Sequence, residues 1–235
     1  MPSHPSSVGF AAVADGDLFA LAQQLGPAAD AIDAPAGTYF RAADPSGAEL
    51  WLHTSADGEQ FYGAVPHAGG PGRVRLTLTD RLPDAENPLA GAFRADAGGL
   101  PLLFDAPDFR RFDRLPLPAE VWVQVCGFAH EAECFDSPAA FEAATDGKLK
   151  PAVRSLIAVG LLDDGPPRPL AFVTGVVTAS GWRVNALTGE RFGVVELDTA
   201  VGLVAVALDP AVLGDLPPAG GVLAGTVWLS GRVVG

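Results

Sequence analysis

The sequence predicts an α+β fold that is predominantly antiparallel β with a few short helices. Three observations predict it. Short segments rich in Val, Thr and aromatic residues are separated by Gly-rich turns. In RVRLTLT, Val74, Leu76 and Leu78 alternate with Arg75, Thr77 and Thr79, so one side faces a core and the other faces water. Two stretches also look alike. SGAELWLHTSADGEQFYGAV resembles SGWRVNALTGERFGVVEL, with Gly47 matching Gly181 at an offset of 134 residues. VRLTLTD then faces VAVALDP, and LAGAF at Leu89 matches LAGTV at Leu223, again at 134. The expectation is an internally duplicated β unit of about 60 residues, arranged as a barrel or as facing sheets.

The elements follow in order. DGDLFALAQQLG reads as a helix: Asp15 or Asp17 caps it, Leu18, Leu21 and Leu25 share a face, and Gly26 ends it. After Pro35 come the strands GTYFRAA, AELWLHT, EQFYGAV and RVRLTLT, parted by DPSG, ADG and GGPG. Residues 96–118 read as a long loop whose Phe104, Phe109 and Phe112 plug an apolar face. EVWVQVCGF is a strong strand. DSPAAFEAA reads as a helix capped by Asp136 or Ser137 with Pro138 in its first turn. PAVRSLIAVGLL reads as another helix burying Val153, Leu156 and Ile157, with Lys148 and Lys150 outside its start. From Pro169 the Val-rich segments PLAFVTGVVTA, GWRVNAL, ERFGVVEL, VGLVAVAL and AGTVWLSGRVV are strands. Residues 1–118 form an N-terminal half with a leading helix. Residues 119–235 hold a linking strand, two helices and the second half, and both halves belong to one fused unit.

Hydrophobic residues make up 49% and charged residues 18%, which excludes a disordered chain. The net charge is -13, from 28 acidic against 15 basic side chains, and disfavours nucleic acid and anionic membrane surfaces alike. The basic residues are nearly all Arg and the chain is rich in Ala, Gly, Pro and Val, as a GC-rich bacterial genome produces. The N-terminal stretch lacks a basic n-region, and AVGLVAVAL, Ala200 to Leu208, is far short of a bilayer span of about 20 residues. A cytoplasmic protein, monomer or homodimer, is expected.

The densest run of chemistry is GFAHEAECF, Gly127 to Phe135. On an uninterrupted strand Val121, Val123, Val125, Gly127, Ala129, Glu131 and Glu133 share one face, and Trp122, Gln124, Cys126, Phe128, His130, Ala132 and Cys134 the other. Cys126 and His130 are then about 13 Å apart and cannot hold one ion. HEAEC is not H-E-x-x-H, so no metal is assigned. His130, Glu131 and Glu133 are the candidate catalytic residues, as an acid/base set. The simpler reading is a strand end solvated beyond Phe128. A Cys126–Cys134 disulfide is disfavoured in a reducing compartment.

His53, Asn185 and Glu190 occupy repeat-equivalent positions and are candidate ligand-binding residues, against a plainer role in hairpin turns. Asp105, Asp108, Arg110, Arg111, Asp113 and Arg114 form a charged cluster from which Arg110 and Arg111 are candidate ligand contacts. Trp51, Trp122, Trp182 and Trp228 lie in strands and line a core or a cavity. Phosphate-binding and dinucleotide glycine motifs, C-x-x-C and G-x-S-x-G are absent. The first reading is therefore a small-molecule-binding or protein-interaction module without a tightly bound cofactor. The alternative is a hydrolase or lyase using converged carboxylates and a histidine, with or without the help of a metal.

Overall fold

Helix α1 (Asp15–Leu25) follows a 3-10 turn at Ser6–Val8, and a hairpin-linked set comes next: β1 (Asp30–Ala34), β2 (Gly37–Ala43), β3 (Ala48–Thr54) and β4 (Phe61–Ala68). The computed structural model describes residues 3–10, 15–144, 151–162 and 164–234, with the side chains of residues 15–18 outside that set. The expected caps Asp15 and Asp17, the Leu18 side chain, Lys148 and Lys150 therefore lie outside the described residues. These four strands make an antiparallel sheet in chain order. β1 was not expected, because it precedes Pro35.

The larger sheet holds β5 (Val74–Pro83), β6 (Gly91–Asp96), β7 (Pro101–Asp105), β8 (Ala119–Phe135), β9 (Ser155–Ile157), β10 (Leu170–Val184), β11 (Arg191–Thr199), β12 (Gly202–Leu208) and β13 (Val222–Val234). Helix α2 (Pro138–Ala144) sits between β8 and β9, with the Ser137 hydroxyl accepting from Ala140 N at 3.1 Å as a cap. The fold is mostly β and antiparallel, with few and short helices. Among the described residues no helix is long and apolar enough to cross a membrane.

The pairings close two rings that share β8 and β13. One runs β8-β5-β6-β7-β13, the other β13-β10-β11-β12-β8. The two sets correspond. β5 is antiparallel to β8 as β10 is to β13, and β7 runs parallel to β13 as β12 does to β8. The registers agree: Asp105 faces Ser230, and Ala207, 102 residues after Asp105, faces Phe128, 102 residues before Ser230. Each ring turns a corner at a bulged threonine, Thr79 and Thr178, whose hydroxyl donates to a carbonyl of the next strand at 3.2 Å in both cases. This correspondence differs from the one the sequence suggested. β3 and β4, matched there to β10 and β11, lie in the separate small sheet and have no counterpart in the rings.

Two further expectations are corrected. PAVRSLIAVGLL is not a helix: it forms the edge strand β9 and a 3-10 turn at Val159–Leu161. Leu156 pairs with Val173, and Gly160 sits so close to the chain at Arg168 that a Cβ would lie 2.2 Å from its carbonyl oxygen. Residues 96–118 are not one loop, since β7 and a 3-10 turn at Phe109–Phe112 run through them. The plug reading fits: Phe104 and Phe109 are buried in the main core and Phe112 packs against it.

The small sheet has two unlike faces. Ala42, Ala48, Leu50, Leu52 and Ala68 pack with Cys126, Phe128, Phe192, Val194, Ala205 and Ala207 in one apolar cluster, joined by Val8 and Phe10 of the N-terminal segment. The opposite face carries Tyr39, Arg41, Glu49, Trp51, His53 and His67. It meets the first ring through polar contacts.

Candidate functional site

β7 ends at Asp105, directly beside β13, whose Trp228 donates from Nε1 to Asp105 Oδ2 at 2.6 Å. Beyond them opens a cleft of about 620 Å³, within the size range of small-molecule sites. Val65, Leu82, Leu103 and Pro169 line it, with Asp84, Asn87 and Arg168 among its polar residues. Burial pushes the Asp105 carboxyl up to about 6; the Trp228 hydrogen bond opposes this and the nearby Asp84 charge adds to it. A recessed, perturbed carboxyl in a cleft is a functional-site signature. The two rings differ at this spot. The residues related to Asp105 and Trp228 by the 102-residue offset are Ala207 and Cys126, and both lie in the apolar cluster that seats the small sheet.

The outer wall of Trp228 is built by histidines. His4 lies against the indole with ring centroids 5.0 Å apart, and His130 stands 6.3 Å from it. His4 Nε2 and His130 Nε2 are 2.9 Å apart with ring planes only 8° off parallel. With centroids 5.2 Å apart, the rings meet tip to tip, so one N–H donates to the other's lone pair. Burial and the His130 charge hold His4 down at about 4. His130 is brought here by a bulge: Ala129 pairs with Val227 and Glu131 with Thr226, leaving His130 as the extra residue.

That bulge overturns the expected face assignment of β8. Before it, Val121, Val123, Val125 and Ala129 point to the main core; after it, Ala132 and Cys134 do. Glu131 and Glu133 are instead turned to a shallow groove with Phe172 and Ala224, and Glu131 accepts from the Thr226 hydroxyl at 2.7 Å. Both cysteines are free. Burial pushes Cys126 up to about 12 and Cys134 up to about 11, so neither is a thiolate at neutral pH.

Behind the cleft lies a closed polar network. Ser230 Oγ is 3.0 Å from His67 Nδ1, and His67 Nε2 is 3.4 Å from Gln124 Oε1. The amide oxygen can only accept, so Nε2 carries the proton and Nδ1 accepts from Ser230. The pair has the contact of a nucleophile and its base, but both residues are fully buried and the third member is an amide rather than a carboxylate. Burial lowers His67 to about 4. Beside it Glu49 accepts from Arg41 at 2.5 Å and from Trp51 Nε1 at 2.9 Å, with Arg232 3.7 Å away. This is an internal strut, not a site.

The other expected ligand residues are dispersed. His53 is wholly buried: Asn87 Nδ2 donates to its Nδ1 at 3.0 Å, which leaves Nε2 to donate to Pro107 O at 3.1 Å. Asn185 donates to Val8 O at 3.1 Å and accepts from Leu187 N, and Glu190 O closes the same turn, as the turn reading had it. Arg110 donates to Pro88 O at 2.6 Å and Arg111 pairs with buried Asp108 at 3.0 Å. Among the described residues, the groove lined by Glu131 and Glu133 holds neither His130 nor any of His53, Asn185, Glu190, Arg110 and Arg111. Trp122, expected to line a core or cavity, is 50% exposed. Among the described residues no group of three or more metal-ligating side chains converges. No family model, curated protein or solved structure matches this chain.

Proposed function

We propose that the protein is a small-molecule-binding module, built on a duplicated four-strand unit, whose ligand occupies the cleft between Asp105 and Trp228. The observation that carries this reading is the asymmetry of the two rings. The same position holds a packed apolar seat in one ring and, in the other, an open cleft of about 620 Å³ with a recessed carboxyl. A frame needs only the first arrangement for stability, and the second suits recognition. A protein-interaction role is the weaker reading, because the cleft is concave and narrow. A hydrolase built on His130, Glu131 and Glu133 is weaker still, since His130 is turned to His4 and the two carboxylates to a separate groove.

The test uses the Trp228 indole N–H, which lies on the cleft wall and gives its own proton–nitrogen NMR signal. That signal is assigned with Trp228→Phe, and a panel of small aromatic and aliphatic compounds is titrated in. Compounds that bind are expected to move the Trp228 signal and leave those of Trp122 and Trp182 in place. Ala90→Trp, which fills the cleft, is expected to abolish the shift. Binding that survives Ala90→Trp places the ligand elsewhere and removes this reading.

A further inference from the structure

The cleft has acceptors to offer and few donors. Trp228 Nε1–H is spent on Asp105 Oδ2. Asn87 is largely committed: one of its two amide N–H groups donates to His53 and its oxygen accepts from Leu89 N and Ala90 N. Arg168 is exposed at the proline-rich rim and has an interaction partner of its own. Besides the second Asn87 N–H, what remains is carboxylate oxygen. No described residue donates to Asp105 Oδ1, and Asp84 Oδ2 is likewise unpaired, its Oδ1 being taken by Glu86 N and Asn87 N. The rest of the lining is apolar, with Val65, Leu82, Leu103 and Pro169 as its body.

A ligand complementary to this surface brings its own donor and its own positive charge on an apolar body. A neutral apolar compound would cover the Asp105 carboxylate while leaving its Oδ1 unpaired, with only the Trp228 N–H on Oδ2, which is costly, and a carboxylate ligand would face two like charges. Long-range attraction points the same way. The chain carries a net charge of -13, so cations are drawn to it and anions repelled.

Building on the cleft reading, we infer that its ligand is a primary amine with an apolar body, its ammonium held by Asp105 at the floor and Asp84 at the rim. Asp105 then supplies the charge-assisted hydrogen bond, Trp228 fixes the carboxylate that receives it, and the prolines and leucines take up the hydrocarbon.

The experiment titrates three probes of one shape into the full-length protein at pH 7.5: 2-phenylethylamine, 2-phenylethanol and phenylacetate. The readout is the Trp228 indole signal. The amine is expected to bind about tenfold more tightly than the alcohol, the size of one charge-assisted hydrogen bond, and phenylacetate not at all. Asp105→Asn is expected to erase the amine's advantage and leave alcohol binding in place. Asp84→Asn, at an exposed position and with the Oδ1 acceptor for Glu86 N and Asn87 N kept, is expected to reduce the advantage by a smaller factor. Amine affinity is also expected to fall as the pH drops below about 6, where the carboxyl protonates. Equal binding of amine and alcohol overturns the amine inference and leaves the cleft reading standing. An amine preference that persists in Asp105→Asn also overturns it, by assigning the preference to overall charge. Silence of the Trp228 signal to all three probes overturns both.

Discussion

Glu49 has 5% side-chain exposure and three cationic or N–H partners around it. Burial alone would raise its pKa, but the Arg41 hydrogen bond and the surrounding positive charge more than offset this, and the carboxyl is held below its usual range. The contribution is therefore present above the unfolded-state value and fades as the pH falls through the lower folded value. Glu49→Ala leaves Arg41 facing Arg232 without the carboxylate between them. We expect a loss of about 3 to 5 kcal/mol in urea unfolding at pH 7, the range for one partner removed from a buried pair. A loss below about 1 kcal/mol would show the group to be as weak as a surface pair. Trp228 and Asp105 were both within reach of sequence reasoning. Trp228 reads as lining a core or a cavity and Asp105 belongs to the charged cluster. What could not be read was their contact, because 123 residues separate them and only the β7–β13 pairing brings them together. His4 gave no signal at all, since its partner His130 is 126 residues away.

At the scale of the element, the bulge in β8 decides which side chains meet the core. The stretch from Gly127 to Cys134 offers no apolar alternation strong enough to mark one extra residue, so the pattern looks continuous. The same limit bears on the two stretches that look alike. The turns Gly58-Glu59 and Gly189-Glu190 look alike because tight hairpins demand similar residues. The correspondence the strands obey keeps only scattered identities, such as Gly91 with Gly193 and Asp113 with Asp215. Strands with clean alternation, RVRLTLT above all, were fully legible, and so was the capped helix at Pro138. Helical spacing in PAVRSLIAVGLL was real but lost to pairing with β10. Two variants separate the bulge from its side chain. His130→Ala removes the imidazole from a half-exposed position, and we expect a loss within about 1 kcal/mol. Deleting His130 closes the bulge in register, with Glu131 still opposite Thr226 and Ala129, Ala132 and Cys134 still toward the main core, and we expect the cooperative thermal transition to be kept. Loss of the transition in the deletion alone would mean that the bulge itself, and not only the register, holds the strand end in place.

Across the whole molecule, the small sheet meets the first ring through buried imidazoles. His53 and His67 are both held neutral, from the ordinary 6.5 down to about 4, chiefly by burial. A folded-state value below the unfolded one means that the unfolded chain takes up protons first. Stability is thus full above pH 6.5 and declines as the pH falls toward 4, by up to about 3 kcal/mol for each histidine. Urea unfolding measured from pH 7.5 to 4 is expected to show this decline, and His67→Gln to flatten it. An unchanged midpoint over that window would place the histidines in contact with water. Carboxylates such as Glu49 begin to add their own loss only near the acid end of that range, below their ordinary 4.5, so the decline should steepen there.

β13 belongs to both rings, and that has a consequence for how the chain is made. Synthesis runs from β5 to β12 before residues 222–234 exist. Until they emerge, β8 and β10 each present an open edge, and neither ring can close. Such edges are templates for pairing with other chains. A ribosome that pauses before Val222 therefore holds both rings open at their stickiest, and β13 is the strand that makes them safe.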